Sequence, residues 1–281
     1  MLSGCGSANR SPSAADAFVT RAFQVVGAWD QAATAAGYGQ GVRLLDASTV
    51  PPASGFPSED VARQYRAGAY RLRTTLRAET PPMGTVRQAD GTTSTVPVVP
   101  ATEAYAGLTN GAPPCTDCQG LTVTGARLGT ATVRTNRGAA TVPVWLFDVA
   151  ELHDPVARVA VSVDALRPLP SPSPPAAPAS LHLTSVIDVV PDPVGSDPAA
   201  ATRLTVRLGV SPCDVNPHPS VYEASDAVVI GGQRTPPSPG KACPDLLQVR
   251  PFTVTLSQPL ADRVLLNASD GQPVPLGAHQ P

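Results

Sequence analysis

Residues 141–147 read Thr-Val-Pro-Val-Trp-Leu-Phe, the most apolar stretch of the 281-residue chain. Valine and aromatic residues favour strands, so we predict a strand over 140–149. Pro143 cannot donate a ladder hydrogen bond, which predicts an edge position or a bulge. The Asn-Arg-Gly sequence at 136–138 suits the turn of a hairpin with a preceding strand over 130–136. This hairpin belongs to a predicted antiparallel sheet.

Two amphipathic patterns lie on the N-terminal side of this hairpin. Ser13 is a predicted helix N-cap with Asp16 in the capping-box position, and apolar residues recur at helical spacing over 14–35. From Tyr70 to Arg77, apolar and polar residues alternate, which predicts a strand with one core face and one basic face. The remaining predicted elements are a helix over 58–65, a turn at Asp90-Gly91, and strands over 42–45, 121–127 and 157–163.

The C-terminal third of the chain carries almost only strand signals. Residues 167–180 precede it and contain six prolines in fourteen residues, which predicts a semi-rigid linker or, alternatively, an ordered surface loop. The fold class we predict is α+β and mostly β: an N-terminal helix with an antiparallel sheet over 13–166, then a β-sandwich-like domain over 181–281. The strands predicted for the second domain are 181–190, 202–210, 221–230, 246–256 and 263–267.

The composition excludes some functions before any motif is considered. The chain has 20 Lys and Arg against 22 Asp and Glu, a net charge of -2, so it lacks the basic surface of a nucleic-acid-binding protein. No apolar run approaches the roughly 18 residues that a membrane-spanning helix needs. Lys241 is the only lysine, so the other 19 basic residues are Arg, a bias typical of a high-GC bacterial genome.

The N-terminus carries a short motif. Leu2-Ser3-Gly4-Cys5, an aliphatic residue followed by two small residues and a cysteine, resembles the lipobox of bacterial lipoproteins. In that family the signal peptidase cleaves before the cysteine, whose sulfur carries diacylglycerol. The resemblance implies lipidation of Cys5 and anchoring at the extracytoplasmic face of the cell membrane, with residues 1–12 as lipobox and tether. The charged and apolar segments that precede a lipobox are not in the chain, so we expect an upstream start codon.

The four remaining cysteines form two local sets. Their even number and their spacing favour disulfides Cys115–Cys118 and Cys213–Cys243 over the other two connectivities. Disulfides persist outside the cytoplasm, which agrees with the lipobox. The Cys-x-x-Cys spacing at 115–118 also occurs in redox motifs and zinc knuckles. Here it lies in a loop that enters a strand and lacks a second ligand pair, so a structural disulfide or idle thiols are favoured.

The predicted basic strand face is one candidate site. Arg71, Arg73 and Arg77 would form an anion-binding face for lipid headgroups or wall polymers. The alternative is a solvated sheet face without a ligand.

Two acidic groups are weaker candidates. Acidic residues around His153 could transfer protons or bind a metal, and a Pro/Gly loop carries three aspartates that could hold Ca²⁺. For both groups we favour solvated loops. The carboxylates are Asp148, Glu151 and Asp154 in the first group, and Asp188, Asp192 and Asp197 in the second. Trp29, Trp145 and Phe147 are predicted core residues.

As a whole the chain resembles the exported lipoproteins of unknown function in high-GC Gram-positive bacteria, because of the lipobox, the composition and the paired distal cysteines. We predict a lipid-anchored binding or envelope-interaction protein without a cofactor or metal. Its expected partners are the membrane, through the lipid anchor, and an envelope polymer or a membrane protein. One alternative is an extracytoplasmic hydrolase that uses the 148–154 cluster. Another is an accessory or sensor subunit of a membrane complex, which predicts a contiguous exposed apolar patch.

Overall fold

The computed structural model describes residues 13–79, 83–110, 119–162, 165–237, 243–244 and 246–277. It confirms the predicted fold class, α+β and mostly β, with an N-terminal helix and two largely antiparallel sheets. The helices are α1 (Ala14–Ala35), α2 (Glu59–Arg66) and α3 (Ala101–Leu108). The first sheet contains β1 (Thr49–Val50), β2 (Tyr70–Leu72), β3 (Gly84–Gln88), β4 (Thr93–Val96), β5 (Leu121–Thr135), β6 (Gly138–Val149) and β7 (Val156–Val159). The second contains β8 (Leu183–Pro191), β9 (Arg203–Val210), β10 (Val215–Glu223), β11 (Ala227–Thr235), β12 (Gln248–Thr255) and β13 (Val264–Asn267).

The β5–β6 hairpin is the centre of the first sheet, and its turn lies at the predicted residues 136–138. The strands predicted over 121–127 and 130–136 are wrong as separate elements, because β5 runs unbroken through both and pairs with β6 along its length. Pro143 is also not on an edge. The other side of β6 pairs with β3 at Thr141 and with β7 from Val144 onward, so the proline lies where these two partners diverge. Its missing N–H therefore removes no ladder bond.

Strand β6 is buried on both faces, because helices cover one face of the sheet and loops cover the other. Trp145 and Phe147 point towards α3, where Phe147 lies 6.2 Å from the ring of Tyr105. Val142 and Val144 point to the opposite face. The two tryptophans and Phe147 are buried, which confirms them as core residues.

The second sheet folds back on itself into a sandwich. Strand β8 pairs with β11 at its beginning and with β9 along the rest of its length, so it belongs to both layers. Alternate residues of β11 face different layers: Val228 and Ile230 point into the sandwich, and Ala227 and Val229 point outward. The strand predicted over 221–230 is wrong, since a hairpin turn at 224–226 divides it between β10 and β11.

Helix α1 covers the outer face of β11 and β13. It begins at the predicted capping box, in which Asp16 donates its amide to Ser13 and its carboxylate accepts from the Ser13 backbone. Phe18 and Trp29 are buried against the second sheet, together with the other apolar residues of the same helix face. In the sequence this helix precedes the strands of the first sheet, yet it packs on the second sheet.

The proline-rich segment 167–180, predicted as a linker or a surface loop, contacts other parts of the folded chain. Pro170 and Pro172 are buried, and Gln272 donates to the Pro172 carbonyl at 2.8 Å. The buried guanidinium of Arg21, in α1, donates to the Pro175 carbonyl. The segment is therefore fastened to both α1 and the C-terminal part of the chain.

The two sheets meet at the segment 42–50, which was predicted to include a strand over 42–45. The structure replaces that strand with isolated bridges, among them Asp46 to Leu276. Arg134, at the end of β5, is 1% exposed and forms an ion pair with Asp46 at 2.8 Å. Its guanidinium also donates to the carbonyls of Ala261 and Arg263. This buried polar contact fixes how the sheets meet and shapes the cleft beside it.

Candidate functional site

Of the five cysteines, the structure describes Cys213 and Cys243. Cys213 and Cys243 form a disulfide with Cα atoms 6.0 Å apart, which confirms that pair. The bridge joins the turn after β9 to the segment before β12, at the end where these strands pair. Cys5, Cys115 and Cys118 lie outside the described residues, so their lipidation and pairing remain predictions.

The predicted basic face is not built on one regular strand. Strand β2 ends at Leu72, so the strand predicted through Arg77 is wrong beyond that point. Arg71 is half-buried and donates to the Thr122 hydroxyl at 2.9 Å, whereas Arg73 and Arg77 are exposed. Arg71 thus stabilises the contact between β2 and β5, and anion binding by the three arginines stays a prediction.

Two of the three acidic residues around His153, Glu151 and Asp154, are used to hold loops. Burial opposes ionisation of Glu151, but hydrogen bonds from the backbone and side chain of Thr122 outweigh it and lower its pKa. Hydrogen bonds from Ser54 lower the pKa of Asp154. A general acid at neutral pH needs a raised pKa. Because His153 is exposed, this group does not assemble the site that the hydrolase alternative requires.

The three aspartates considered for Ca²⁺ also have separate roles. Asp188 pairs with Arg207 at 2.7 Å, and Asp197 accepts from a backbone amide within its own loop. Within the described ranges, no group of three or more His, Cys, Asp or Glu residues is placed to hold a metal ion.

The most distinctive site is a cleft where the first sheet meets the C-terminal segment 272–277. It consists of two adjoining cavities, of about 280 and 760 Å³, that share Asp46, Ser48, Arg158 and Pro275 as lining residues. We call it the Arg158 cleft, after the guanidinium common to both cavities. Clefts of this size are typical of small-molecule sites.

Arg158 is positioned by strand pairing and by a glycine. Strand β7 places it opposite Thr49 of β1, and its Nη1 donates to the Thr49 hydroxyl at 2.7 Å. On the other side it lies against Gly107 of α3. A Cβ added to Gly107 would lie 2.6 Å from Nη2 and 2.9 Å from Cζ, so only glycine leaves room for the guanidinium in this position.

Arg158 is half-buried and differs from the buried arginines in having few acceptors. Arg21 donates to three backbone carbonyls, and Arg263 donates to the Glu223 carboxylate and to backbone carbonyls. Seven ion pairs occur among the described residues, and none includes Arg158. A guanidinium carries five N–H donors. Among the residues that the structure describes, only the Thr49 hydroxyl accepts a hydrogen bond from Arg158.

The electrostatic environment of Arg158 is that of a poorly compensated cation. Burial lowers its pKa, and the nearby phenol of Tyr65 acts in the opposite direction. Tyr65 packs its ring 4.8 Å from that of Phe56 and also lines the smaller cavity. Since burying a charge is costly unless it is paired, Arg158 is poised to accept an anionic partner.

The larger cavity has a mainly apolar lining. Side chains from α3, β7 and the proline-rich segment supply it, with Glu103, Arg167 and Gln272 among its polar residues. Its larger apolar residues are Leu44, Val99, Val161, Leu166 and Leu169. The cleft therefore combines the Arg158 guanidinium with a mainly apolar wall.

Sequence reasoning missed this site, although a signal was present. Residues 156–161 read Val-Ala-Arg-Val-Ala-Val, so Arg158 is a charge inside an otherwise apolar strand. Helix α3, which supplies Gly107, was not predicted. Nothing in the sequence alone indicates that Thr49 and Gly107 meet this arginine.

Comparison of the chain with known protein families, with curated proteins and with solved structures finds no match. None of the helices formed by the described residues has both the length and the apolar character needed to cross a bilayer. What the chain does must therefore be inferred from its own residues.

Proposed function

We propose that this chain is a lipid-anchored binding protein of the bacterial cell envelope, and that its ligand occupies the Arg158 cleft. The observation that carries the proposal is a half-buried guanidinium that lines two cavities and has, among the residues that the structure describes, one hydroxyl acceptor. A structural arginine is expected to have its donors used by the protein, as those of Arg21 and Arg263 are. A ligand-binding arginine keeps donors for the ligand.

The extracytoplasmic location is supported by two independent features. The Leu2–Cys5 stretch resembles a lipobox, and the Cys213–Cys243 disulfide fits an oxidising compartment. A lipid on Cys5 would leave the folded part next to the membrane, joined through residues 6–12. The Arg158 cleft would then face the space outside the cytoplasm.

The anchor is tested by the intact mass of the mature native protein. The gene is expressed with its upstream sequence in a high-GC Gram-positive host, and the protein is analysed without reduction. We expect a chain that begins at Cys5, carries diacylglycerol and lacks the thiol hydrogens of its disulfides. The Cys5→Ala variant is the matched control and should remain unlipidated. A wild-type chain that starts at Met1 with free thiols would contradict the location.

A second candidate function, an accessory subunit of a membrane complex, is favoured by one observation. Four exposed large apolar residues lie close in sequence to the disulfide: Val215, Leu246, Leu247 and Val249. An exposed apolar surface of this kind suits a protein partner. We expect cross-linking in native membranes to give a defined adduct that the Leu246→Ser/Leu247→Ser variant loses. An adduct that persists unchanged in this variant would exclude the surface as the contact.

A further inference from the structure

We propose that the Arg158 cleft binds an amphipathic carboxylate, a molecule with one carboxylate head and an apolar chain. The inference rests on the binding function proposed above and names its ligand class. The head would lie on the Arg158 guanidinium beside Thr49, and the chain would extend along the larger cavity.

We infer that the ligand has a carboxylate head from the chemistry of the Arg158 end of the cleft. A guanidinium presents a planar fork of N–H donors that matches the two oxygens of a carboxylate. The Thr49 hydroxyl accepts from Arg158 and keeps its own proton, which it can donate to the same ligand. The absence of a side chain at Gly107 lets the guanidinium lie flat against α3.

The charge around the cleft favours a monoanion. Arg66 also lines the smaller cavity, but it is paired with Glu59. Asp46 is paired with Arg134, and Glu103 adds a negative charge to the lining of the larger cavity. Arg167 also lines that cavity and offsets Glu103 in formal charge, so the described lining carries one net positive charge, which matches a carboxylate better than a doubly charged phosphate monoester.

We infer that the ligand carries an apolar chain from the volume and the lining of the larger cavity. Its volume of about 760 Å³ is within the range of small-molecule sites. Leu166, Leu169 and Val161 line it, so each methylene group that enters leaves water for apolar contact. A short acid such as acetate would use the head position alone and lose this contribution.

The test measures binding of dodecanoate to the full-length Cys5→Ser chain, purified with its disulfide intact, by isothermal titration below the micelle concentration. We expect Arg158→Gln to weaken dodecanoate binding by about tenfold or more, the effect of losing a charge-assisted hydrogen bond. Arg158→Lys should weaken it less. Arg127→Gln, which removes an exposed arginine of β5, is the matched control and should leave the affinity unchanged.

Ligand controls separate the head from the chain. Dodecanol should bind more weakly than dodecanoate, and equally to the wild type and to Arg158→Gln, which also shows that the variant keeps an intact cavity. Acetate should bind more weakly than dodecanoate. Dodecanoate binding that is absent, or unaffected by Arg158→Gln, would overturn the ligand class. So would binding of phosphatidylglycerol vesicles or dodecyl phosphate in preference to dodecanoate. If the mass analysis still finds the lipid on Cys5, the envelope location survives either result.

Discussion

At the residue scale, buried arginines are the recurring device of this structure. Arg134 and Arg263 each combine a carboxylate with backbone carbonyls, and Arg21 and Arg43 donate to the carbonyls of Ala268 and Pro168, which are far away in sequence. These contacts satisfy most of the guanidinium donors, with Nε of Arg43 and Nη2 of Arg134 as exceptions, and so limit the cost of burial. Arg158 lacks such partners in the described structure, which is why we assign it to a ligand.

Replacing Arg134 and Arg158 in turn distinguishes an arginine that stabilises the fold from one that binds the ligand. Arg134→Met would leave the buried Asp46 carboxylate unpaired, so we expect unfolding to become easier by about 3–5 kcal/mol. Arg158→Met removes a charge with no carboxylate partner, so its effect should be within about 0.5 kcal/mol or stabilising. Urea unfolding of both variants measures the difference. Equal destabilisation would show that Arg158 is a structural residue.

The sequence allowed some of these residues to be predicted and not others. Ser13 and Asp16 interact within one helical turn, and Cys213 and Cys243 lie at the ends of strands that could be recognised, so local patterns were sufficient. Arg158 meets Thr49 and Gly107 only after β1, β7 and α3 have packed. A site built from distant segments leaves no local spacing to detect.

At the element scale, errors arose where one strand has more than one partner. Strand β6 is shared by β3 and β7 on one side, and β8 is shared by β11 and β9. Pro143 lies at the first of these divisions, where a missing N–H has little cost. The alternation pattern predicts that a strand exists, but it does not give the partner of each part. Helix α3 was missed because it follows Pro100 in a short proline-interrupted segment.

Helix α3 provides a prediction about how Arg158 is positioned. Gly107→Ala favours helix formation, so the free energy of unfolding should be unchanged or slightly higher. The added methyl group must nevertheless displace the guanidinium, and dodecanoate binding should weaken as in Arg158→Gln. Isothermal titration and urea unfolding on the same preparation test both effects.

Gly27 of α1 is the matched control for this substitution. A Cβ added there has no atom within 4 Å, so Gly27→Ala should raise stability by up to about 1 kcal/mol and leave binding intact. If Gly107→Ala bound dodecanoate as tightly as the wild type, the close contact with Arg158 would have no role in binding.

At the scale of the whole molecule, the chain crosses between its two sheets several times. Helix α1 packs on the second sheet, the segment 42–50 returns to the first, and Asp46 still bridges to Leu276 near the C-terminus. The Arg158 cleft lies at this junction, which explains why its lining comes from both ends of the chain. Ligand binding there would stabilise the junction by mass action.

The disulfide contributes to stability at this scale as well. Cys213 and Cys243 are separated by 30 positions, and closing a loop of this length stabilises the folded state by about 3–4 kcal/mol in the chain-entropy description. The Cys213→Ser/Cys243→Ser variant should lose about that amount in urea unfolding without reductant, and dithiothreitol should have the same effect on the wild type. A variant as stable as the oxidised wild type would contradict a structural role.

The central claim is that the Arg158 cleft holds a small anionic ligand in the native envelope. The most direct measurement is negative-ion mass spectrometry of molecules extracted from the protein after purification from its own membranes, with Arg158→Gln prepared in parallel. We predict an amphipathic acid that co-purifies with the wild type and is lost from Arg158→Gln. The same set of molecules in both preparations, or none in the wild type, would contradict the claim.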